Sequence, residues 1–421
     1  MKINATDRQR QIYLNGISGQ KPLLPIDLEA LEDLAAQKMS AEAFAYVAGG
    51  AGKGQTIQNN RTAFRNWQIV PRMLRDVSVR DTSIELFGKH LPTPLLTCPI
   101  GVLELAHPDG DLAVARATSK YEVPMIFSNQ ASLSMEECAA VMGDAPRWLQ
   151  LYWSKSNELI SSFVVRAEHS GCSAIVVTLD TNILGWRTQD LDLAYLPFLQ
   201  GKGIAQYISD PVFQQLVDEP EEENAPTQRR LNIDTLSSIY QLMNNYPGNF
   251  FQNLKSQRPL KAVRKFINIF SRPSLTWEEL PFLREQTKLP ILLKGILHPE
   301  DAKKAIDYGM NGIIVSNHGG RQVDGAIGAV KALPSIVKAV DQQIPVLLDS
   351  GIRGGADMFK ALALGATAVC VGRPYVYGLA LAGQAGVEEV LQNLLSDFEL
   401  TMALAGCKEI GEINLGCLKC A

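Results

Sequence analysis

Eight short apolar runs, each closed by polar or glycine residues and each followed by a helical pattern, recur from about residue 94 to residue 373. They read PLLTCPIG, PMIFSNQ, RWLQLYW and AIVVTLD, then PILLKG, GIIVSNHGG, PVLLDSG and AVCVGRP. Strands apolar on both faces and separated by amphipathic helices suit a closed parallel barrel, whose interior and helix layer each need an apolar strand face. An open doubly wound sheet is the runner-up. It usually has fewer strands, and no G-x-G-x-x-G follows the first run. The expectation is an α/β fold: a (β/α)8 TIM barrel with an N-terminal helical cap and a long lid insertion after strand four. Residues 1–90 form the cap and lead-in, 91–405 the barrel with the lid at 188–275, and 406–421 a C-terminal tail.

The remaining segments carry weaker signals. The first 25 residues read as polar and irregular, and a helical pattern then runs from Asp27 to about Ala48. More than a hundred residues separate Asp180 from Pro290 where a crossover needs a few tens, so this segment reads as a lid over the active face. Its acidic stretch at 218–224 is expected to be a mobile middle. A long helix from Val387 to about Ala405 closes the barrel, and Cys417 and Cys420 lie in what reads as a frayed, silent tail.

Composition narrows the partners. With 40 Lys+Arg against 44 Asp+Glu, the formal charge of −4 offers no field for a polyanion, so nucleic acid is not expected. No apolar run approaches the length of a membrane span and the start lacks a signal-peptide core, so a cytoplasmic protein without membrane attachment is expected. Seven cysteines do not make a disulfide framework, and no metal site is expected.

In such a barrel the catalytic groups stand at the C-terminal ends of the strands. Those ends carry Pro99-Ile100-Gly101, Ser128, Gln150 and Tyr152, Thr178 and Asp180, Lys294, Ser316 to Arg321, Asp349 to Gly355, and Gly372-Arg373. The two Gly-Arg loops, with Arg353 and Arg373, suit a phosphate, because glycines let backbone N–H groups approach an anion and arginines add charged forks. His318 stands three residues before Arg321, a spacing that lets an imidazole base and a guanidinium face one small carboxylate substrate. Lys294 ends an otherwise apolar strand, where a cation at a cavity needs an anion or an electron-rich ring to face.

Together, Lys294, Ser316-Asn317-His318-Gly319-Gly320-Arg321-Gln322, Asp349-Ser350-Gly351-Ile352-Arg353 and Gly372-Arg373-Pro374 resemble the FMN-dependent 2-hydroxy-acid oxidising family, from about residue 30 to 405. Within it, Tyr46-Val47-Ala48-Gly49-Gly50, Pro99-Ile100-Gly101-Val102, Thr178-Leu179-Asp180-Thr181, Gly185-Trp186-Arg187 and Asp210-Pro211-Val212-Phe213 resemble the lactate monooxygenases. The resemblance implies FMN across the barrel mouth, its phosphate on Arg353, Gly354, Gly372 and Arg373 and its ribityl chain near Asp349, Gly351 and Ser316. Ser128, Gln150, Thr178, Lys294 and the Pro99-Ile100-Gly101 backbone would contact the ring. Arg187, Arg321, Tyr46 and Tyr152 would hold the substrate carboxylate, and His318, paired with Asp180, would take the hydroxyl or the α-proton. It further implies L-lactate and oxygen as substrates and a homotetramer or homo-octamer. A monooxygenase would yield acetate, carbon dioxide and water; an oxidase would release the 2-oxo acid and hydrogen peroxide. Gly101, where oxidases of the family commonly carry alanine, favours the former. A Schiff-base aldolase on a similar phosphate-binding barrel has no need of His318 and Arg321 beside Lys294.

Overall fold

In the computed structural model of this chain, which describes residues 4–220 and 233–421, all eight runs are strands. They are β1 (Leu95–Thr97), β2 (Met125–Phe127), β3 (Arg147–Tyr152), β4 (Ile175–Thr178), β5 (Ile291–Ile296), β6 (Gly312–Val315), β7 (Val346–Leu348) and β8 (Ala368–Val371). Neighbours in chain order pair in parallel and β8 closes on β1. The period-two alternation of a strand explains why both faces had to be apolar. Leu96, Ile126, Trp148, Val176, Leu292, Ile314, Leu347 and Cys370 meet inside the barrel, while Leu95, Leu149, Val177, Leu293 and Val369 face the helix layer. A hairpin of Ile84–Leu86 and Lys89–Leu91 adds Leu86, Leu91 and Phe87 to the interior cluster, with the Phe87 ring 5.8 Å from that of Trp148.

Four expectations outside the barrel are corrected. The first 25 residues are not irregular throughout: Ala5–Ile17 is helical, started by Asn4, whose side chain accepts from the Asp7 N–H. It docks through Arg8 on Glu389 and Asn393. The pattern from Asp27 to Ala48 breaks into Leu31–Lys38 and Ala41–Ala48, because Ser40 turns extended and caps the second helix by accepting from the Ala43 N–H. The tail is not frayed. Leu418–Cys420 pairs antiparallel with Trp67–Ile69, and Cys407 and Cys417 are buried free thiols with sulfurs 4.0 Å apart. The closing helix is also longer than expected, running from Arg373 to Leu404 with a kink at Ala382 and Gly383.

The insertion is a helical cover. Its described parts include helices Thr188–Asp192, Pro211–Asp218, Ile233–Asn245 and Arg258–Ile269; residues 221–224 of the acidic stretch lie outside the described residues. Its anchor is the fully buried Tyr207, whose ring lies 5.1, 5.5 and 4.8 Å from Phe163, Phe213 and Phe266. The Tyr207 hydroxyl donates to Asn129 Oδ1 at 3.0 Å, and Arg166 pairs with the buried Asp210 at 3.0 Å. Packing of this kind makes the cover part of the core. Phe213→Ala is expected to cost roughly 3–5 kcal/mol, the usual scale for a deleted buried phenyl group, read as a lowered denaturation midpoint.

Candidate active site

The C-terminal ends of the strands surround a cavity of about 380 Å³. At its floor, Lys294 Nζ donates to Ser316 Oγ at 2.9 Å and lies 3.3 Å from Asp349 Oδ2 and 3.7 Å from Asp180 Oδ2. A bulge in β5 makes room for this cluster. The register with β6 shifts between Lys294 and Ile296, and Gly295 takes φ 108°, where an added Cβ would stand 2.8 Å from Asp180 Cβ. Burial works against the ammonium, but Asp180 and Asp349 more than offset it and hold the Lys294 pKa above the usual lysine range. Burial also opposes the Asp180 carboxylate; Lys294 and His318 prevail and hold its pKa far below the usual range.

His318 sits in the left-handed region at φ 58°, a strained position for a residue with a side chain. Its neighbours hold it there. Asn317 exchanges two side-chain hydrogen bonds with Asn60 at 2.7 and 2.8 Å, and its Oδ1 accepts from the Gly320 N–H. The His318 Nδ1 lies 2.7 Å from Asp180 Oδ1 and 3.1 Å from the Thr181 hydroxyl. An ionised carboxylate only accepts, so Nδ1 carries the hydrogen and Nε2 is left with a lone pair. Burial pulls the His318 pKa below 6.5; Asp180 opposes that pull and Lys294 adds to it.

Two arginine pairs line the same cavity and adjoin at the Gly49 carbonyl, which accepts from both Arg321 and Arg373. Arg321 donates to the Gly49 carbonyl at 2.8 Å, covers the Tyr46 ring with its guanidinium 5.0 Å from the centroid, and is pulled down to about 9 by burial and by Arg187. Arg187 donates to Gln322 Oε1 at 3.0 Å. Burial pushes the Tyr152 hydroxyl up to about 12 and raises that of Tyr46, so both remain neutral donors. Arg373 donates to the carbonyls of Val47, Gly319 and Gly49, and Arg353 to that of Ile352. Neither forms an ion pair with a carboxylate among the described residues. Burial and the neighbouring Arg373 lower Arg353 to about 10, so an anion between the two would relieve both.

The residues fit an FMN-sized group. Gln150 Nε2 and Thr178 Oγ1 are buried without hydrogen-bond partners, as donors awaiting a polar ring edge would be. Tyr46, Pro99, Ile100, Gly101, Tyr152, Arg187, Lys294, His318, Arg321, Asp349, Gly351, Arg353, Gly372 and Arg373 line the cavity. Asp180 and Ser316 support it from behind through His318 and Lys294, Ser128 accepts from the Gln130 N–H, and Gly354 borders a separate cavity beneath the N-terminal helix. Sequence reasoning missed Thr181, Ser350 and the apolar wall of Leu196, Phe198, Phe266, Ile267 and Phe270 that the insertion contributes. It also missed Asp190, although that residue's spacing of three after Arg187 on a helical turn was legible.

Known proteins place this geometry in context. The profile of the family described as FMN-dependent dehydrogenase matches residues 35–420. An L-lactate oxidase of Lysinibacillus sphaericus (strain C3-41) is 45% identical over 407 residues, covering 97% of this chain and 95% of that protein. The 2-hydroxyacid oxidase 1 of Homo sapiens is 37% identical over 370 residues, covering 88% and 90%. A crystal structure of mandelate oxidase with (S)-4-hydroxymandelic acid superposes with a TM-score of 0.77 at 36% identity, covering 94% of this chain and 98% of the other.

The direction of the His318 shift sets a pH dependence. A base with a depressed pKa is neutral throughout the neutral range, so kcat/KM for a 2-hydroxy acid is expected to be flat there and to fall only as the pH drops through a value below 6.5. Asp180→Asn removes the carboxylate that raises the His318 pKa, so the fall in the kcat/KM profile should move to still lower pH. An unmoved inflection would assign the titration to another group.

Proposed function

The chain belongs to the FMN-dependent dehydrogenase family, and on that premise we propose that it oxidises a small L-2-hydroxy acid, L-lactate above all, with oxygen. The proposed products are acetate, carbon dioxide and water. The observation that carries the reading is the placement of an oriented imidazole and two guanidiniums around one cavity.

The carboxylate of the substrate lies between Arg187 and Arg321, with the Tyr46 and Tyr152 hydroxyls as neutral donors. His318 Nε2 takes the proton, and Asp180 on Nδ1 stabilises the imidazolium that results. Bound FMN supplies the two-electron acceptor and the route to oxygen. Arg353, Gly372 and Arg373 would hold its phosphate, with Gly354 following in the same loop but bordering the neighbouring cavity, and Asp349, Gly351 and Ser316 would lie along its chain. Ser128, Gln150, Thr178, Lys294 and the Pro99–Gly101 backbone would hold its ring, with Lys294 supplying a positive charge beside it.

Retention of the 2-oxo acid until oxygen has reacted distinguishes the decarboxylating outcome. The cover at 188–275 supports it, since Phe198, Phe266 and Phe270 wall the cavity while packing into the core. Gly101 agrees: an added Cβ would stand 2.8 Å from the Gln130 carbonyl oxygen and 3.0 Å from its Cβ, so alanine requires the loop to move. A second reading, release of pyruvate with hydrogen peroxide, draws on the likeness to the L-lactate oxidase. Product analysis with L-lactate under air separates them: acetate with little peroxide supports the first, and pyruvate with stoichiometric peroxide the second.

Two variants test the roles. Arg321→Lys loses the planar fork and is expected to raise the KM for L-lactate and slow anaerobic bleaching of the flavin. His318→Gln should slow the same bleaching by about 100-fold or more, the usual scale of a positioned base. Bleaching at the wild-type rate in stopped flow removes the role from whichever residue was changed.

A further inference from the structure

Asp190 is the carboxylate paired with Arg321, one of the two substrate arginines. It lies on the first turn of the insertion, three residues after Arg187, with Oδ2 3.6 Å from Arg321 Nη2. Its side chain is 10% exposed, and no hydrogen bond from the described residues reaches its carboxylate. At 3.6 Å it is looser than a direct charged hydrogen bond, which closes to about 2.7–2.9 Å. A resident anion at that separation balances charge without occupying the donors of the fork.

The charges around it can be assigned group by group. Arg187 and Arg321 bring two positive charges to the substrate end, and Asp190 cancels one of them. At the floor, Lys294 faces both Asp180 and Asp349, so that cluster holds one more carboxylate than ammonium. Arg353 and Arg373 stand among glycine loops that suit a phosphate, with Arg373 sharing the Gly49 carbonyl with Arg321. With a phosphate taking up Arg353 and Arg373, Arg187 and Arg321 are left to receive a substrate carboxylate, and Asp190 balances one of them. A second carboxylate on the substrate would meet Asp190 or the floor carboxylates across a cavity of low dielectric, where like charges repel strongly.

We propose that Asp190 is a positioning and specificity residue that balances one of the two substrate arginines and thereby restricts the site to monocarboxylic 2-hydroxy acids. This rests on the reading in which Arg187 and Arg321 receive the substrate carboxylate. Asp190 acts through Arg321 and takes no part in the proton transfer.

The test is equilibrium binding of two 2-oxo acids, pyruvate and oxaloacetate, to the oxidised holoenzyme, followed by calorimetry in metal-free buffer near pH 7.5. Wild type is expected to bind pyruvate at least about tenfold more tightly than oxaloacetate, a difference of about 1.4 kcal/mol. Asp190→Asn, which keeps size and removes charge, should raise oxaloacetate affinity by about tenfold or more and erase the preference. Asp190→Glu, which keeps the charge, should retain it. A merely structural role for Asp190 would weaken both ligands together and leave their ratio unchanged. A wild type that binds pyruvate without preference, or an unchanged ratio in Asp190→Asn, overturns this inference and leaves the functional reading standing. A wild type that does not bind pyruvate overturns both. Should Asp190→Asn fail to fold, Asp190→Ser, which also removes the charge, carries the same expectation and the same overturning result.

Discussion

The ammonium of Lys294, buried between Asp180 and Asp349, is the interaction around which the site is built. A buried charge is costly unless it is paired, and removing one partner of such a cluster typically costs about 3–5 kcal/mol because the survivors are left uncompensated. The three residues come from the ends of β5, β4 and β7, so the cluster fixes three strand ends at once. It also sets the base. Asp180 is ionised because Lys294 and His318 face it, and an ionised Asp180 in turn determines which nitrogen of His318 carries hydrogen.

Backbone strain surrounds this cluster. His318 and Ser350 take positive φ although neither is glycine, and Gly295 allows the bulge that brings Asp180 close to Lys294. These conformations persist because neighbours over-determine them. Ser350 Oγ accepts from the Gly319 N–H and donates to Asp349 at 2.6 Å, while the Asn60–Asn317 pair holds the turn on its other side. The rigid barrel below lets such turns be held, since strands buried on both faces have little freedom to relax.

What was legible in the sequence follows from the same physics. The eight strands could be read because each is buried on both faces, which writes a continuous apolar run, and because polar groups at their ends interrupt the run where the cavity begins. Lys294, His318 and the Gly-Arg loops were visible for that reason. The insertion was visible only as excess length. Its cover depends on long-range partners such as Tyr207 with Asn129 and Phe266, which no local pattern announces. The docked tail escaped because Leu418–Cys420 owes its order to a strand far away in sequence, Trp67–Ile69. Asp190 was passed over because a lone acidic residue on a short helix reads as a solvated face until Arg321, distant in sequence, is placed opposite it.

Charge is allocated differently to the two arginine pairs of the cavity, which adjoin at the Gly49 carbonyl, and that difference bears on how one pocket holds two anions without confusing them. At the Gly-Arg loops, Arg353 and Arg373 have backbone carbonyls for company but no carboxylate paired with them among the described residues. Their uncompensated charge suits a phosphate that carries up to two negative charges and stays bound. The other pair, Arg187 and Arg321, is partly balanced by Asp190 and bordered by an apolar wall from the insertion. A partly balanced site attracts a monoanion less strongly than a bare arginine pair would, so retention of an organic anion there falls to the enclosing wall rather than to charge alone. The same insertion supplies both Asp190 and the aromatic wall, so the element that encloses the substrate also tempers the charge that holds it.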